Sequence, residues 1–230
     1  MPGMDVRALA FDIFGTVVDW RGSIAEELAG LVADPAGFAH AWRDRYQPSL
    51  ERVRSGEIGW TKLDDLHRAS LDELLAEFGP AELGLPERER LVLAWHRLRP
   101  WPDSAAGLER LRGRFVLATL SNGNFGLLVD LTRQAGLRFD CILSAELVRA
   151  YKPDSRTYRM VPELLGLRPE QVMLVAAHPY DLRAAAGEGL RTAFVSRPLE
   201  WGPGAPPAEP DPSFDVAAED LLDLADRLGA

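Results

Sequence analysis

The sequence lacks the features that mark several classes of protein. It contains one cysteine, Cys141, in 230 residues, which excludes a disulfide within the chain and favours a reducing compartment. No apolar run approaches the roughly 20 residues needed to span a bilayer, and the N-terminus has no secretory signal. From these absences we expect a cytoplasmic protein.

Blocks of positive charge are also missing. The chain has 26 basic and 35 acidic residues, a formal net charge of −9, which argues against a surface for nucleic acid or an anionic membrane. His40, His67 and His96 show no metal-ligand spacing. We therefore predict a small molecule as partner, with no nucleic acid and no membrane, and leave a homodimer open.

The sequence does contain an alternation of strand-like and helix-like segments. An apolar run at residues 6–10 precedes a long helical stretch, residues 21–97, with no convincing strand. Breakers punctuate this stretch at Asp34-Pro35, Gln47-Pro48, Gly79-Pro80 and Leu85-Pro86. The stretch therefore indicates a helical domain inserted directly after the first strand.

From Trp101 onward the alternation returns. Asp103 or Ser104 can cap a helix that ends at Gly113, and further helices are predicted to end near Gly136, Gly166 and Gly189. We predict strands at residues 115–120, 141–145, 172–177 and 192–196, a loop at 201–212 and a final helix at 218–228. Such β-α alternation predicts a parallel sheet with right-handed crossovers.

Four polar segments follow apolar runs and precede helix-like stretches. They are Phe11-Asp12-Ile13-Phe14-Gly15-Thr16, Leu120-Ser121-Asn122-Gly123, Tyr151-Lys152-Pro153 and Ala176-Ala177-His178-Pro179-Tyr180-Asp181. All four should lie at the carboxyl ends of parallel strands, where open α/β sheets bind ligands. The first segment makes Asp12 a candidate nucleophile.

The order of these four segments resembles the haloacid dehalogenase superfamily and, within it, the L-2-haloacid dehalogenase (type II) branch. The matching motifs are D-x-F-G-T, S-N-G, K-P and an acidic loop after the fourth strand, and the resemblance covers nearly the whole chain. It implies an α/β fold: a doubly wound, Rossmann-like parallel sheet core with an inserted helical cap domain. We place the core at residues 1–19 and 98–230 and the cap at 20–97.

The residues after Asp12 favour the dehalogenase branch. Phosphatases of the superfamily carry a second aspartate as general acid where this chain has Phe14, and a Gly-Asp pair that holds magnesium where it has Ala177-His178. Asp12 and Asp181 without a further acid make a poor magnesium site, because a hard cation prefers several oxygen ligands. We therefore predict an enzyme that needs neither a metal nor another cofactor.

The resemblance implies hydrolysis of a carbon-halide bond. In that chemistry the Asp12 carboxylate displaces halide from a short 2-haloalkanoic acid, and water hydrolyses the resulting aspartyl ester to release a 2-hydroxy acid. A halide leaves without protonation, so Phe14 is acceptable at the position of the acid. The substrate is anionic, so cations and hydrogen-bond donors are required beside the anionic nucleophile.

Roles for other residues follow from the same resemblance. Lys152 matches the lysine that keeps Asp12 ionised, and Arg43 matches a cap arginine that reaches the departing halide, to which an always-charged guanidinium is suited. Thr16 and Ser121 match residues that hold the nucleophile or the substrate carboxylate. The full set implied in substrate binding is Phe14, Thr16, Trp42, Ser121, Asn122 and Tyr158.

The fourth segment departs from the S-S-N-x-W-D sequence of the best-known dehalogenases. Asp181 remains, and the resemblance implies that it activates the water that opens the ester. His178 either shares this work as a neutral base or supports the turn before Pro179. Two alternatives stay open: a magnesium-dependent small-molecule phosphatase, and a degenerate member that binds ligand without turnover.

Overall fold

The computed structural model describes residues 4–78 and 83–230. These residues form seven strands: β1 (Ala8–Phe11), β2 (Val18–Asp19), β3 (Arg99–Pro100), β4 (Val116–Thr119), β5 (Val172–Ala176), β6 (Arg191–Val195) and β7 (Val216–Ala218). Five of them make one parallel sheet in the order β4-β1-β5-β6-β7. The doubly wound parallel core is thereby confirmed.

The register of the sheet positions the predicted motifs. Phe11, the last residue of β1, pairs with Thr119 of β4 on one side and with Val175 of β5 on the other. All residues of β1 and β5 are buried, as expected for central strands with both faces covered by helices. The loops that follow these three strands therefore begin at the same edge of the sheet.

Ten α-helices accompany the strands in the described residues. They are α1 (Trp20–Leu28), α2 (Pro35–Asp44), α3 (Tyr46–Arg54), α4 (Leu63–Phe78), α5 (Leu85–Val92), α6 (Ser104–Arg112), α7 (Phe125–Gln134), α8 (Ser155–Leu165), α9 (Pro179–Gly187) and α10 (Leu221–Leu228). Short 3-10 helices span Leu93–Arg97, Ala145–Val148 and Pro169–Gln171.

The helices α1 to α5 form the cap. The chain enters them through β2 and leaves through β3, and these two strands pair antiparallel, with Val18 opposite Pro100. The cap interior is aromatic: the rings of Trp20 and Trp95 stack at 6.5 Å, and Trp42 meets Trp95 edge-on at 5.5 Å. The inserted helical cap is confirmed, and the two-stranded entry to it was not predicted.

One predicted strand near the edge of the sheet is wrong, and one edge strand was not predicted. Residues 141–145 make only isolated bridges beside β4, because the Thr119 hydroxyl bonds both the N–H and the carbonyl of Leu143 in place of a regular ladder. Residues 216–218 form β7, which was not predicted, and the final helix predicted at 218–228 is confirmed with a later start. That helix begins at Leu221, after Asp220 caps it by accepting a hydrogen bond from the Asp223 N–H.

Helix boundaries also depart from the breaker pattern. Pro48 lies inside the first turn of α3, where its missing N–H costs nothing, and the boundary with α2 falls at Arg45. The Asp103 side chain does not cap α6 but pairs with Arg197. The predicted break at Gly79-Pro80 lies outside the described residues.

None of the helices in the described residues is both long enough and apolar enough to cross a membrane. The cytoplasmic location stays a prediction.

Candidate active site

Asp12 lies in the first loop after β1, and its carboxylate is buried and hydrogen-bonded on both oxygens. Oδ1 accepts a hydrogen bond from Lys152 Nζ at 3.1 Å. Oδ2 accepts one from Thr16 Oγ1 at 2.9 Å and lies 3.0 Å from His178 Nδ1. Burial opposes the charge of Asp12, but Lys152 and His178 outweigh it and hold the pKa of this carboxyl well below its usual range. Asp12 is therefore an ionised, oriented carboxylate.

Thr16 has its hydroxyl direction set by a backbone group. Its Oγ1 accepts a hydrogen bond from the Ala177 N–H at 2.9 Å, so its own proton is directed to Asp12 Oδ2. The turn between the two residues requires Gly15, whose φ is +85° and whose missing Cβ leaves room for the Glu200 carboxylate. The loop after β1 and the loop after β5 thus meet on Asp12.

Lys152 joins Asp12 to Asp181. Its Nζ lies 3.1 Å from Asp12 Oδ1 and 2.6 Å from Asp181 Oδ2, and the side chain is almost fully buried. Asn122 holds the lysine backbone, because its Oδ1 accepts a hydrogen bond from the Lys152 N–H at 2.9 Å. Burial disfavours the ammonium, but the two carboxylates outweigh this cost and raise the pKa of Lys152. The lysine is therefore charged throughout the physiological range.

Asp181, in the first turn of α9, is held on both oxygens. Oδ1 accepts a hydrogen bond from the Tyr158 hydroxyl at 2.6 Å, and Oδ2 accepts one from Lys152. Burial raises the pKa of Asp181, Lys152 opposes the rise, and Asp12 adds to it. Tyr158, predicted to bind substrate, directs its hydroxyl at this carboxylate.

His178 lies between two carboxylates. Its Nδ1 is 3.0 Å from Asp12 Oδ2 and its Nε2 is 2.9 Å from Glu200 Oε1. Burial disfavours the imidazolium, but Glu200 and Asp12 overcome it and raise the pKa of His178 to about 10. A ring protonated at pH 7 can only donate hydrogen bonds, so these contacts favour a donor role for His178 over that of a neutral base, and its part in the reaction stays a prediction.

Five charged groups contact one another in sequence and alternate in sign: Asp181, Lys152, Asp12, His178 and Glu200. Each buried cation lies between two carboxylates, which compensates the cost of removing the charges from water. Burial raises the pKa of Glu200, but His178 and then Arg43, a third cation, outweigh it and lower this pKa.

Arg43 lies on α2 of the cap, and its side chain is buried. Its guanidinium lies over the Tyr46 ring, 4.2 Å from the centroid, and 5.4 Å from that of Trp20. Its Nη1 has no hydrogen-bond partner among the residues that the structure describes. Tyr46 also contacts the core domain, because its hydroxyl accepts a hydrogen bond from Asn122 Nδ2 at 3.0 Å. Arg43 therefore presents an unused donor on the Asp12 side of the cap.

The remaining predicted residues occupy supporting positions. Phe14 is buried edge-on against Trp95, with ring centroids 5.9 Å apart. Ser121 is buried, and its Oγ accepts a hydrogen bond from the Gly123 N–H at 3.1 Å. Trp42 lies in the cap interior, where its Nε1 donates to Ser70 Oγ at 3.1 Å. The prediction that Trp42 contacts substrate therefore has no support from its contacts.

Three further residues contact the site and were not predicted from the sequence: Glu200, Trp20 and Tyr46. Glu200 follows β6, so the rule that ligands gather at the carboxyl ends of strands could have pointed to it. The sequence held no signal for its partners, because Trp20 Nε1, which donates to Glu200 Oε1 at 3.1 Å, is 180 residues away. Tyr46 resembled any other helix residue of the cap.

No group of three or more His, Cys, Asp or Glu side chains suited to a metal ion occurs in residues 4–78 and 83–230. The cation that lies between Asp12 and Asp181 is the Lys152 ammonium. Metal independence stays a prediction.

Comparison with known proteins agrees with this geometry. Residues 6–189 match the family model of haloacid dehalogenase-like hydrolases. The crystal structure of a defluorinating L-2-haloacid dehalogenase superposes with a TM-score of 0.93 at 44% sequence identity, covering 98% of this chain and 96% of that chain. An (S)-2-haloacid dehalogenase of Xanthobacter autotrophicus is 30% identical over 84% of this chain and 76% of its own length.

A third comparison bears on the chemistry. The structure of the L-2-haloacid dehalogenase from Xanthobacter autotrophicus with chloropropionic acid covalently bound has a TM-score of 0.84 at 25% identity, covering 98% of this chain and 99% of that chain. The chain therefore belongs to the haloacid dehalogenase-like hydrolases and, within them, to the L-2-haloacid dehalogenases.

Proposed function

We propose that this protein hydrolyses short 2-haloalkanoic acids to 2-hydroxy acids through a covalent ester on Asp12. The observation that carries the proposal is that the site holds an ionised, buried Asp12 and, on the cap, a buried Arg43 whose Nη1 has no hydrogen-bond partner among the described residues. A nucleophile and a free donor for the departing anion are the two groups that halide displacement requires. The dehalogenases to which the chain is similar support the same reaction.

In the first step Asp12 Oδ1 attacks the α-carbon of the substrate, and the bond to the halogen breaks with its electron pair on the halide. Oδ1 is the better nucleophile because it has one donor, Lys152, whereas Oδ2 has two. Arg43 Nη1 stabilises the developing halide, and no proton is needed. The apolar ring of Phe14 is therefore compatible with this step.

In the second step water hydrolyses the ester at Cγ of Asp12. We assign Asp181 as the base, because its raised pKa makes it a stronger proton acceptor than an ordinary aspartate. Tyr158 and Lys152 hold its two oxygens, so Asp181 is positioned beside the ester. The product carries an oxygen from Asp12, and the carboxylate regains one from water.

Further assignments belong to this proposal. Lys152 takes the place of a metal, so the reaction needs no cofactor. The cap comprises residues 20–97, and the core comprises 1–19 and 98–230. Ser121 and Asn122 lie at the end of β4, where the substrate carboxylate would be received. The partner is a small anionic 2-haloacid.

The decisive experiment follows oxygen in a single turnover. With enzyme in excess over 2-chloropropionate in heavy-oxygen water, the label should enter Asp12 and be absent from the first product molecule. Asp12→Asn should lose nearly all turnover, because an amide is a poor nucleophile. Label in the first product would indicate direct attack by water and contradict the ester mechanism.

A substrate panel separates the alternatives. Halide release should be measured from chloroacetate, 2-chloropropionate and fluoroacetate, the last because one structural relative is a defluorinating enzyme. Phosphate esters with added magnesium should give no phosphate. Phosphate release without halide release would favour a phosphatase, and binding of 2-haloacids with neither product would favour a member without turnover.

A further inference from the structure

Glu200 and His178 have contacts that the reaction above does not use. His178 is bound by a carboxylate on each ring nitrogen: Asp12 Oδ2 at 3.0 Å and Glu200 Oε1 at 2.9 Å. An ionised carboxylate can only accept hydrogen bonds, so both ring nitrogens must carry protons. Because the pKa values of Asp12 and Glu200 are both lowered, the two carboxylates are ionised and this geometry requires an imidazolium.

Glu200 is held in place for this contact. Its Oε1 also accepts a hydrogen bond from Trp20 Nε1 at 3.1 Å, at the start of the cap. The carboxylate is buried against Gly15, where any side chain would displace it. Glu200 thus has one defined position, fixed by the cap on one side and by the loop after β1 on the other.

The two oxygens of Asp12 are not equivalent. Oδ2 has two donors, Thr16 Oγ1 at 2.9 Å and His178 Nδ1 at 3.0 Å. If Oδ1 forms the ester, Oδ2 becomes its carbonyl oxygen. Both donors then already lie at the distance that an oxyanion hole requires, about 2.7–3.1 Å.

We propose that His178, held by Glu200, acts with Thr16 as the oxyanion hole for hydrolysis of the Asp12 ester, and that Glu200 is the positioning residue of this pair. The inference rests on the proposed function. In this proposal His178 is a charged hydrogen-bond donor and not a base.

The oxygen of water bonds to Cγ of Asp12, one of its protons passes to Asp181, and the electron pair of the carbonyl bond moves to Oδ2. The oxyanion then reforms the carbonyl, and the bond between Cγ and Oδ1 breaks. The product oxygen takes the proton from Asp181, and the second water proton leaves as the Asp12 carboxyl ionises.

The charges around His178 set the expected pH dependence. Asp12 and Glu200 face its two nitrogens, the Tyr180 ring lies 5.6 Å away, and Lys152 and Arg43 act from beyond the two carboxylates. With both carboxylates present the ring stays protonated to about pH 10. Without Glu200 it should lose its proton at lower pH, and the oxyanion hole should lose its charge.

The test compares Glu200→Gln with the unsubstituted enzyme by rapid mixing with 2-chloropropionate. At pH 6 the two should hydrolyse the ester within about threefold of each other. At pH 9 the variant should hydrolyse the ester more slowly by at least about tenfold, since loss of one oxyanion donor costs up to about 10²–10³-fold. Its initial burst of halide should persist. A ratio of the two rates that stays constant across pH would overturn the proposal.

Asp130→Asn is the matched control. It removes another carboxylate that contacts a histidine ring, His96 Nδ1 at 2.9 Å, away from Asp12, and its rate profile should stay unchanged. If Glu200→Gln does not fold, NMR titration of the His178 ring in the unsubstituted enzyme tests the proposal instead. The His178→Asn variant identifies the ring signal by its absence. A midpoint below pH 8 would contradict the proposal. Absence of any halide release from the unsubstituted enzyme would instead refute the proposed function.

Discussion

Lys152 Nζ lies 2.6 Å from Asp181 Oδ2, in a position where almost no side-chain surface of either residue reaches solvent. The same ammonium contacts Asp12 Oδ1 at 3.1 Å. A covalently attached cation thus lies between the two carboxylates of Asp12 and Asp181. Because Lys152 is charged throughout the physiological range, the nucleophile needs no added ion to remain an anion.

The first prediction is that removal of metal leaves the activity unchanged. Treatment with a chelator followed by dialysis should alter halide release by less than about twofold, because Lys152 already neutralises the site. Lys152→Met, which keeps the length and removes the charge, should lose activity at least about a hundredfold through the loss of one preorganised charge. Activity that disappears on chelation and returns with magnesium would contradict the lysine assignment.

The second prediction concerns Arg43. Arg43→Lys should slow ester formation by about 10- to 1000-fold, the range expected when a donor to developing charge is lost, as measured by the rate of the halide burst. Thermal stability should change little, because the charge is kept. Arg52→Lys is the control, since Arg52 lies on α3 with a half-exposed side chain paired to Glu57. Unchanged kinetics in Arg43→Lys would remove this residue from the reaction.

The third prediction separates the two chemical steps. Asp181→Asn should release about one equivalent of halide per site and then stop, because the base acts only after the ester has formed. Intact-protein mass spectrometry should find the acyl group on Asp12. His178→Ala should accumulate less ester, because Thr16 remains as a donor to Oδ2. Loss of the burst in both variants would place these residues in substrate binding or in the first step.

The fourth prediction concerns the turn at Gly15. Gly15→Ala should lower the free energy of unfolding by about 1–3 kcal/mol, because the new Cβ meets the Glu200 carboxylate in a conformation unfavourable to L-residues. Gly56→Ala has a similar φ of +77° but open space around it, so it should cost only the strain of the left-handed conformation, about 1–2 kcal/mol, and less than Gly15→Ala does. Urea denaturation measures both, and equal losses would mean that Glu200 does not occupy the space.

A change of pH should affect stability through His178. The folded pKa of about 10 is above the ordinary value of 6.5. The protonated ring therefore contributes its full stabilisation below about pH 6.5, and this contribution is lost as the pH rises towards 10. The unsubstituted protein should lose more free energy of unfolding between pH 7 and pH 10 than His178→Asn does.

Several parts of the fold and site could be predicted because they depend on local patterns. The apolar runs before Asp12, Ser121 and His178 correspond to β1, β4 and β5 in the sheet. Parallel strands must end at one edge, so their loops converge whatever the packing details. The predicted strand at residues 141–145 was wrong, because hydrogen bonds of the Thr119 hydroxyl replace the regular ladder beside β4.

By itself the sequence determined the parallel core, the inserted cap and the convergence of the polar segments at Asp12, since strand and helix periodicity and the order of the motifs are local properties. Only the tertiary structure decided the charge of His178 and its contact with Glu200. The pKa of a side chain depends on the atoms around it in space, and the carboxylate at Nε2 comes from a loop 22 residues further along the chain. A histidine in a strand-end loop became a buried cation because folding placed an anion on each side of it.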